Sequence, residues 1–415
     1  MFPISILPYR SIHALGIFLG TISYYLAPKK LKKITYNNLA LAKNLQLSER
    51  EIKRIARKSF QNLVTIAFEY FRLKMSRGHF DRFVTGSNLK PFRDLLNSGQ
   101  GVIAVTGHIS NWELSFLHHT QTLPGYAVGK PIKNRRLYSF IQSIREMHGG
   151  QIIDMKNAIS EGVKVLKKGV AFSMLNDQSF TSSSYSYPFF GARAWTSPAP
   201  ALLAYKTKAP IVIVTTTRFK GGRYDYHISD PIWPDRTNSL KKELPRLMDL
   251  IMKGLESHII KNPDQWLWQH KRWKQEGFHR VYSQYKADSI LFILPEDKAL
   301  FKKISEGMAI LPQIYRRSFL TFMIPKKYKG QFKLNDYECL YYENEKELLV
   351  RDYRFQLIFD FEGKKSVKKH FLKLGGHSSF SLEDLICKMP PSEQSCYDVR
   401  DLFIKVLCLP GTPFH

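Results

Sequence analysis

Residues 101–113 read Gly101-Val102-Ile103-Ala104-Val105-Thr106-Gly107-His108-Ile109-Ser110-Asn111-Trp112-Glu113, and this stretch decides the fold. Its first half is an uncharged apolar run closed by glycine at both ends, the pattern of a short strand buried on both faces. A polar turn follows, and residues 114–120 predict a helix. Outward from there the alternation continues. Strand-like runs at 126–128, 151–153, 170–175 and 211–219 alternate with helical stretches at 137–148, 159–168 and 199–206, and a long helix is expected at 238–261. Short buried strands alternating with helices predict an α/β layer structure. Ligands in such folds settle beyond the carboxyl ends of the strands. The loops after Val105 and after Leu175 are therefore where chemistry is expected.

A histidine at a strand's end and a carboxylate five residues on can face one another. A carboxylate bonded to one imidazole nitrogen fixes the tautomer and raises the basicity of the other. Such a pair, His108 with Glu113, can take a proton from an alcohol as it attacks an acyl carbon. The same residues have a purely structural reading. Ser110-x-x-Glu113 is also a capping box, with Glu113 capping a helix and His108 a turn residue. Spacing leaves both open. His118-His119 has no carboxylate or cysteine partner at ligand spacing, so no metal is expected.

The chain has 415 residues, enough for two or three domains. Its 44% hydrophobic and 24% charged residues exclude a mainly disordered chain. Cys339, Cys387, Cys396 and Cys408 are too few and too scattered for a disulfide scaffold or zinc ribbon, and suit a reducing compartment. The formal charge of +28 is uneven: residues 1–281 hold 42 basic and 18 acidic residues, residues 282–415 hold 21 and 17. That asymmetry argues for two units, the first of which meets something anionic. Nucleic acid fits the charge, but no nucleic-acid motif is present.

Residues 11–27 carry no Lys, Arg, Asp or Glu, and Lys29, Lys30, Lys32 and Lys33 follow at once. About 17 such residues is the lower limit for a spanning helix. The run reads as a short span or as an anchor lying in the membrane plane, with a buried first helix of a soluble domain as the alternative. No charged n-region or small-residue cleavage site marks a cleaved signal peptide. The lysines would place the following chain on the cytoplasmic side. Gly16 and Gly20 form a small-xxx-small pair, a pattern too common to weigh alone. Residues 37–75 read as helix. Ser48 and Glu51 are spaced as a capping box, and Lys53, Arg54, Arg57 and Lys58 form a basic face.

Taken in order, the motifs resemble the lipid A late acyltransferases, the lauroyl and myristoyl type, within the glycerolipid acyltransferase superfamily. The HxxxxE block from His108 to Glu113 is the superfamily hallmark. Colinear with it over residues 5–280 are Asn111-Trp112-Glu113-Leu114, Arg145 before Gly149-Gly150, Asn176-Asp177-Gln178 and Pro188-Phe189-Phe190-Gly191. The stretch 201–210, then Asn262-Pro263-Asp264-Gln265-Trp266-Leu267-Trp268 and His270-Lys271-Arg272-Trp273-Lys274, complete it. The resemblance implies a bacterial enzyme on the cytoplasmic face of the inner membrane, held there by its N-terminal helix and membrane lipids. It implies transfer of a fatty acyl chain from acyl carrier protein, a phosphopantetheine thioester, to a hydroxyl of an acyl chain on a lipid A precursor. No bound cofactor and no nucleic acid are expected.

The resemblance also implies roles. His108 is the general base and Glu113 orients it. Arg145 is the oxyanion donor, or else a phosphate contact or surface ion pair. Asp177 and Gln178, with Asn111, line the cleft; Asp177 holds Arg145 or acceptor hydroxyls, or only forms a turn. Phe189 and Phe190 wall the acyl channel or pack in the core. Trp266, Trp268 and Trp273 read as core and interfacial packing residues rather than substrate contacts. Two basic clusters, Lys130, Lys133, Arg135 and Arg136, and Lys271, Arg272 and Lys274, meet the acidic carrier or acceptor phosphates, or are solvated surface.

The expected layout is a membrane-associated helix at 1–35, an α/β acyltransferase domain at 36–281 and a smaller Rossmann-like α/β domain at 282–415. The last has strand-like runs at 289–294, 319–324, 338–342 and 355–361. It weakly resembles the N-terminal half of heptosyltransferase-type glycosyltransferases, through the run from Asp288 to Pro295 and the turn Asp360-Phe361-Glu362-Gly363. The family's Gly-Asp and its nucleotide-sugar half are missing, so a docking, acceptor-recognition or vestigial role is expected. Three rivals stand beside the main reading. One is the same chemistry on a glycerol phosphate or lysophospholipid, disfavoured by the lack of an FxxR block after the first motif. The others are a basic nucleic-acid-binding protein and a catalytically dead scaffold.

Overall fold

The computed structural model describes residues 7–73, 80, 84–86, 89–275, 280–334 and 336–411. Two compact units emerge: Met1–Pro28 with Ala42–Arg272, and Lys29–Leu41 with Trp273–His415.

The chain opens with helices α1 (Tyr9–Leu26), α2 (Lys29–Leu41) and α3 (Glu49–Leu73). The single helix expected over 37–75 is thus two. A short 3₁₀ turn, Lys43–Leu45, separates them. Ser48 then starts α3 with a true capping box: its backbone N–H donates to Glu51 Oε2 at 2.9 Å, and the Glu51 N–H donates back to Ser48 Oγ at 3.3 Å. An N-cap has non-helical dihedrals, so a helix cannot run through one.

In the first unit, α1 lies on α3 through Gly16 and Gly20. A Cβ at Gly16 would overlap Thr65, and one at Gly20 would overlap the backbone of Gln61. The small-residue pair is therefore what lets the two helices approach. Gly20→Val is expected to cost about 1–3 kcal/mol through overpacking, read by denaturant unfolding. Ala14→Leu on the exposed side of α1 should change stability by about 0.5 kcal/mol or less. No helix among the described residues is long and apolar enough to cross a membrane. At 18 residues α1 spans about 27 Å, and the spanning alternative for residues 11–27 is not met. Its outer face exposes Ile17, Phe18, Ile22, Tyr25 and Leu26.

The sheet of this unit is built from β1 (Val84–Thr85), β2 (Val102–Thr106), β3 (Gly125–Gly129), β4 (Gln151–Asp154) and β5 (Ala171–Leu175). After a separate hairpin, β6 (Ser186–Phe189) and β7 (Ala192–Trp195), it gains β8 (Ile211–Arg218) and β9 (Tyr224–Ile228). The strand order is β1-β9-β8-β2-β5-β3-β4. All neighbours are parallel except β8 and β9. The connecting helices are α4 (Lys90–Asn97), α5 (Glu113–Thr120), α6 (Arg135–Arg145), α7 (Ala158–Lys167), α8 (Ala199–Thr207) and α9 (Leu240–Lys261). The sequence pattern shows most of these, but not β1, α4, β9 or the β6–β7 hairpin. Every residue of β2 is buried, as a strand covered on both faces must be.

The second unit carries a five-stranded, all-parallel sheet. Its strands are β10 (Ser289–Ile293), β11 (Phe319–Pro325), β12 (Glu338–Tyr342), β13 (Leu357–Asp360) and β14 (Ser378–Ser381), in the order β12-β11-β10-β13-β14. Helices α10 (Lys298–Gly307), α11 (Leu311–Ile314), α12 (Glu345–Leu348), α13 (Lys365–Leu374), α14 (Leu382–Ile386) and α15 (Val399–Leu407) accompany it. The two-residue period of β10 splits the core. Ile290 and Phe292 pack with Leu402 and Phe403 of α15, whereas Leu291 and Ile293 pack with Val367 and Phe371 of α13. Two features set its limits. Gln275 N donates to Asp288 Oδ1 at 2.7 Å, so the division falls at Arg272–Trp273 instead of at 281. Helix α2 also belongs here: Lys33 Nζ donates to Gly376 O at 2.6 Å, and Asn37 Nδ2 donates to Tyr353 O.

Candidate active site

The site begins where β2 and β5 end together. Thr106 is the register partner of Leu175, and the Asn176 N–H extends the ladder by donating to Thr106 O at 2.9 Å. His108 and Asp177 each lie two residues past that last pair. Strands about 4.8 Å apart therefore deliver them side by side. His108 Nδ1 is 2.8 Å from Asp177 Oδ1, and the His108 backbone N–H donates to Oδ2 at 2.7 Å. Trp266 Nε1 donates to the same Oδ2 at 2.7 Å. Gly107 makes room for this: a Cβ there would press on the Asp177 carboxylate at 3.1 Å.

Asp177 is buried. Burial pushes its carboxyl up, but His108 and the Trp266 donor outweigh that and bring it down to about 2. An ionised Asp177 demands a proton on Nδ1, which leaves the lone pair on Nε2. Gln178 Nε2 donates toward that nitrogen at 3.1 Å. The Trp112 ring stands edge-on to the imidazole, 4.9 Å between centroids. The histidine is thus oriented on one side and capped on the other.

Glu113 is not the carboxylate that holds His108. It accepts from Arg145 Nε at 2.8 Å and Nη2 at 2.5 Å, and from Trp112 Nε1 at 2.9 Å. Burial pushes its carboxyl up, while Arg145, Tyr70 and Trp112 bring it below the ordinary value. The capping-box alternative is not met either. The N-cap of α5 is Trp112, with no side-chain cap bond, and the buried Ser110 Oγ has no partner among the described residues. The chain reverses at Ser110, whose φ is +52°, so five residues of spacing do not bring the two side chains together. Arg145 is corrected with it: its fork is committed to Glu113 and is not a free oxyanion donor, and Asp177 holds His108, not Arg145.

Asn111 is buried and looks away from the imidazole. Its Nδ2 donates to Glu69 Oε2 at 3.0 Å. Glu69, buried on α3, also lies 2.6 Å from His13 Nε2 and accepts from Arg218 Nη2 at 3.0 Å and from the Tyr224 hydroxyl. Burial pushes the Glu69 carboxyl up, and Arg218, His13 and Tyr224 together bring it down to about 2. This buried network was missed in the sequence. The available signal was Glu69 falling on the same helical stripe as Ile52, Ile55, Ile66 and Leu73, where an acid has no solvated explanation.

The tryptophan block braces the loop from the far side. Ser110 N donates to Gln265 O at 2.7 Å, and Leu267 N donates to His108 O at 3.1 Å. Phe189 and Phe190 sit at the turn of the β6–β7 hairpin. Both are fully buried, their rings 5.6 and 6.1 Å from that of Trp266. They are core residues, so the channel-wall expectation is not met. Arg272 leaves its expected basic cluster. It is fully buried, donates to Trp195 O at 2.9 Å and to Thr196 Oγ1 at 2.5 Å, and lies 5.1 Å over the Phe189 ring. Burial pulls its guanidinium down to about 10, although Asp177 works the other way. Lys271 and Lys274 are exposed, as are Lys130, Lys133, Arg135 and Arg136.

Residues 1–275 match the bacterial lipid A biosynthesis acyltransferase family. The lipid A biosynthesis lauroyltransferase of Escherichia coli is 24% identical over 274 residues, covering 65% of this chain and 87% of that protein. A solved 1-acyl-sn-glycerophosphate acyltransferase from Thermotoga maritima aligns with 59% of this chain and 97% of its own, at 16% identity and a TM-score of 0.31, a likeness too slight to argue from. The match takes in the His108 loop, the Asp177 loop and the tryptophan block alike: the chain belongs to the bacterial lipid A biosynthesis acyltransferase family, and it is an acyltransferase.

Proposed function

We propose that this enzyme transfers a fatty acyl chain from the phosphopantetheine thioester of acyl carrier protein to a hydroxyl of an acyl chain on a lipid A precursor, with His108 as the base. The observation that carries the reading is the His108 Nδ1–Asp177 bond at 2.8 Å. Asp177 holds the imidazole so that Nε2 takes the acceptor's proton as its oxygen attacks the thioester carbonyl. The tetrahedral adduct then collapses. The carbon–sulfur bond breaks, and the imidazolium proton passes to the leaving thiolate. Gln178 must give up its place at Nε2 when the acceptor enters. The Glu113–Arg145 pair is a fixed wall beside Trp112.

The exposed cluster of Lys130, Lys133, Arg135 and Arg136 suits an acidic carrier. Helix α1, not long and apolar enough to span, suits an anchor lying in the membrane surface on the cytoplasmic side. The second unit reads as a Rossmann-like module used for docking or acceptor recognition.

The test is acyl transfer by the full chain in detergent. Donors are acyl carrier protein loaded with a range of fatty acids, against the matching acyl-coenzyme A. Acceptors are a tetra-acylated lipid A precursor and a lysophospholipid. Transfer to the lipid A precursor, with the carrier-bound donor preferred, is the expected result. Transfer to the lysophospholipid alone would replace the acceptor in this reading.

A further inference from the structure

A cleft of about 590 Å³ opens between α1, α3 and the β8–β9 turn, lined by Arg10, Ile17, Lys58, Arg218, Lys220 and Asp264 among others. We propose that it seats the phosphate of an anionic membrane lipid, while the outer face of α1 lies among the acyl chains. This deepens the reading of α1 as an in-plane anchor and rests on it.

The charge balance carries the argument. At the back of the cleft Arg218 and His13 are both spent on Glu69. The mouth is different. Among the described residues Arg10 and Lys220 have no carboxylate partner, and Lys58 has only Asp264 at 3.9 Å. Three cations against one acid leave a surplus that a phosphate would meet. The lip of the cleft supplies the second half. Ala14 and Ile17 line it, and Ile17 continues into the exposed row Phe18, Ile22, Tyr25 and Leu26. An exposed apolar ridge beside a cationic cleft matches a molecule with both phosphate and hydrocarbon. Free phosphate would need the cleft alone and leave the ridge without a partner.

The test is co-sedimentation of the full chain with vesicles of phosphatidylcholine, with and without phosphatidylglycerol, at low and high salt. No acyl donor is present, so the outcome is independent of which acyl transfer the enzyme performs. Wild type should bind the anionic vesicles more tightly. Lys58→Glu and Lys220→Glu should each lower that affinity on the order of tenfold. The Ile17→Ser/Phe18→Ser double variant should weaken binding to both vesicle types. Lys241→Glu/Lys242→Glu, two exposed reversals on α9, is the control for bulk charge. Equal loss in the control, or no loss in the cleft variants with melting temperature kept, overturns the proposal. Inorganic phosphate bound in the cleft as tightly without lipid, with no effect of the Ile17/Phe18 change, would reassign the cleft to soluble phosphate.

Discussion

Asp177→Asn should lower kcat for acyl transfer by about 10²–10⁴-fold, as far as His108→Ala does. The reason is the number of donors. Two N–H groups, from His108 and Trp266, point at Oδ2, and one imidazole nitrogen faces Oδ1. An asparagine satisfies both N–H donors only by placing its oxygen on their side. Its NH2 then faces Nδ1 and drives the ring into the tautomer with its proton on Nε2, the wrong nitrogen for a base. The double variant His108→Ala/Asp177→Asn should be no slower than either single one, because the two act as a unit. Glu113→Gln should act chiefly on stability, since its charge answers Arg145. Steady-state kinetics beside melting curves decide it. If Asp177→Asn keeps most of the rate while Glu113→Gln, still fully folded, loses it, the base pair has been assigned to the wrong carboxylate.

Glu69→Ala should be the most destabilising single change in the first unit, by about 3–5 kcal/mol. It strands the buried Arg218 guanidinium and leaves His13, Tyr224 and Asn111 without their acceptor. Glu69→Gln keeps one acceptor and should cost less. The same network sets an acid limit. Glu69 at about 2 and Asp177 at about 2 lie below their unfolded values near 4.5 and 3.8. Their contribution is complete above those values and lost as pH falls toward 2. His119 and His258 are held neutral by burial, each lowered to about 4 from 6.5. The unfolded chain therefore binds more protons in both windows, and stability declines with acid from about pH 6.5 downward. Melting curves from pH 8 to 3 check this. Glu69→Ala should flatten the lower window, and a wild type equally stable at pH 3 and 7 would refute it.

The reading of the sequence held where the information is local. Alternation of buried runs and helical stretches located β2 to β5, α5 to α9 and strands β10 to β13 of the second unit, though not β14, because period and propensity act over a few residues. Ser48 and Glu51 mark the start of α3, although residues 37–75 read as one helix and α2 begins already at Lys29. The order of motifs was enough to identify the family.

What the tertiary structure alone decided is which groups meet. His108 and Asp177 are 69 positions apart and become neighbours through the pairing of β2 with β5. Glu113 is five positions from His108, yet the turn at Ser110 sends it to Arg145. Arg272 reads as surface charge and lies fully buried, and α2 joins the second unit from more than two hundred residues away. Parallel strands require long crossovers between the residues they pair. A local pattern therefore shows that a strand exists without showing its neighbour, and in this enzyme the neighbour supplies the carboxylate that holds His108.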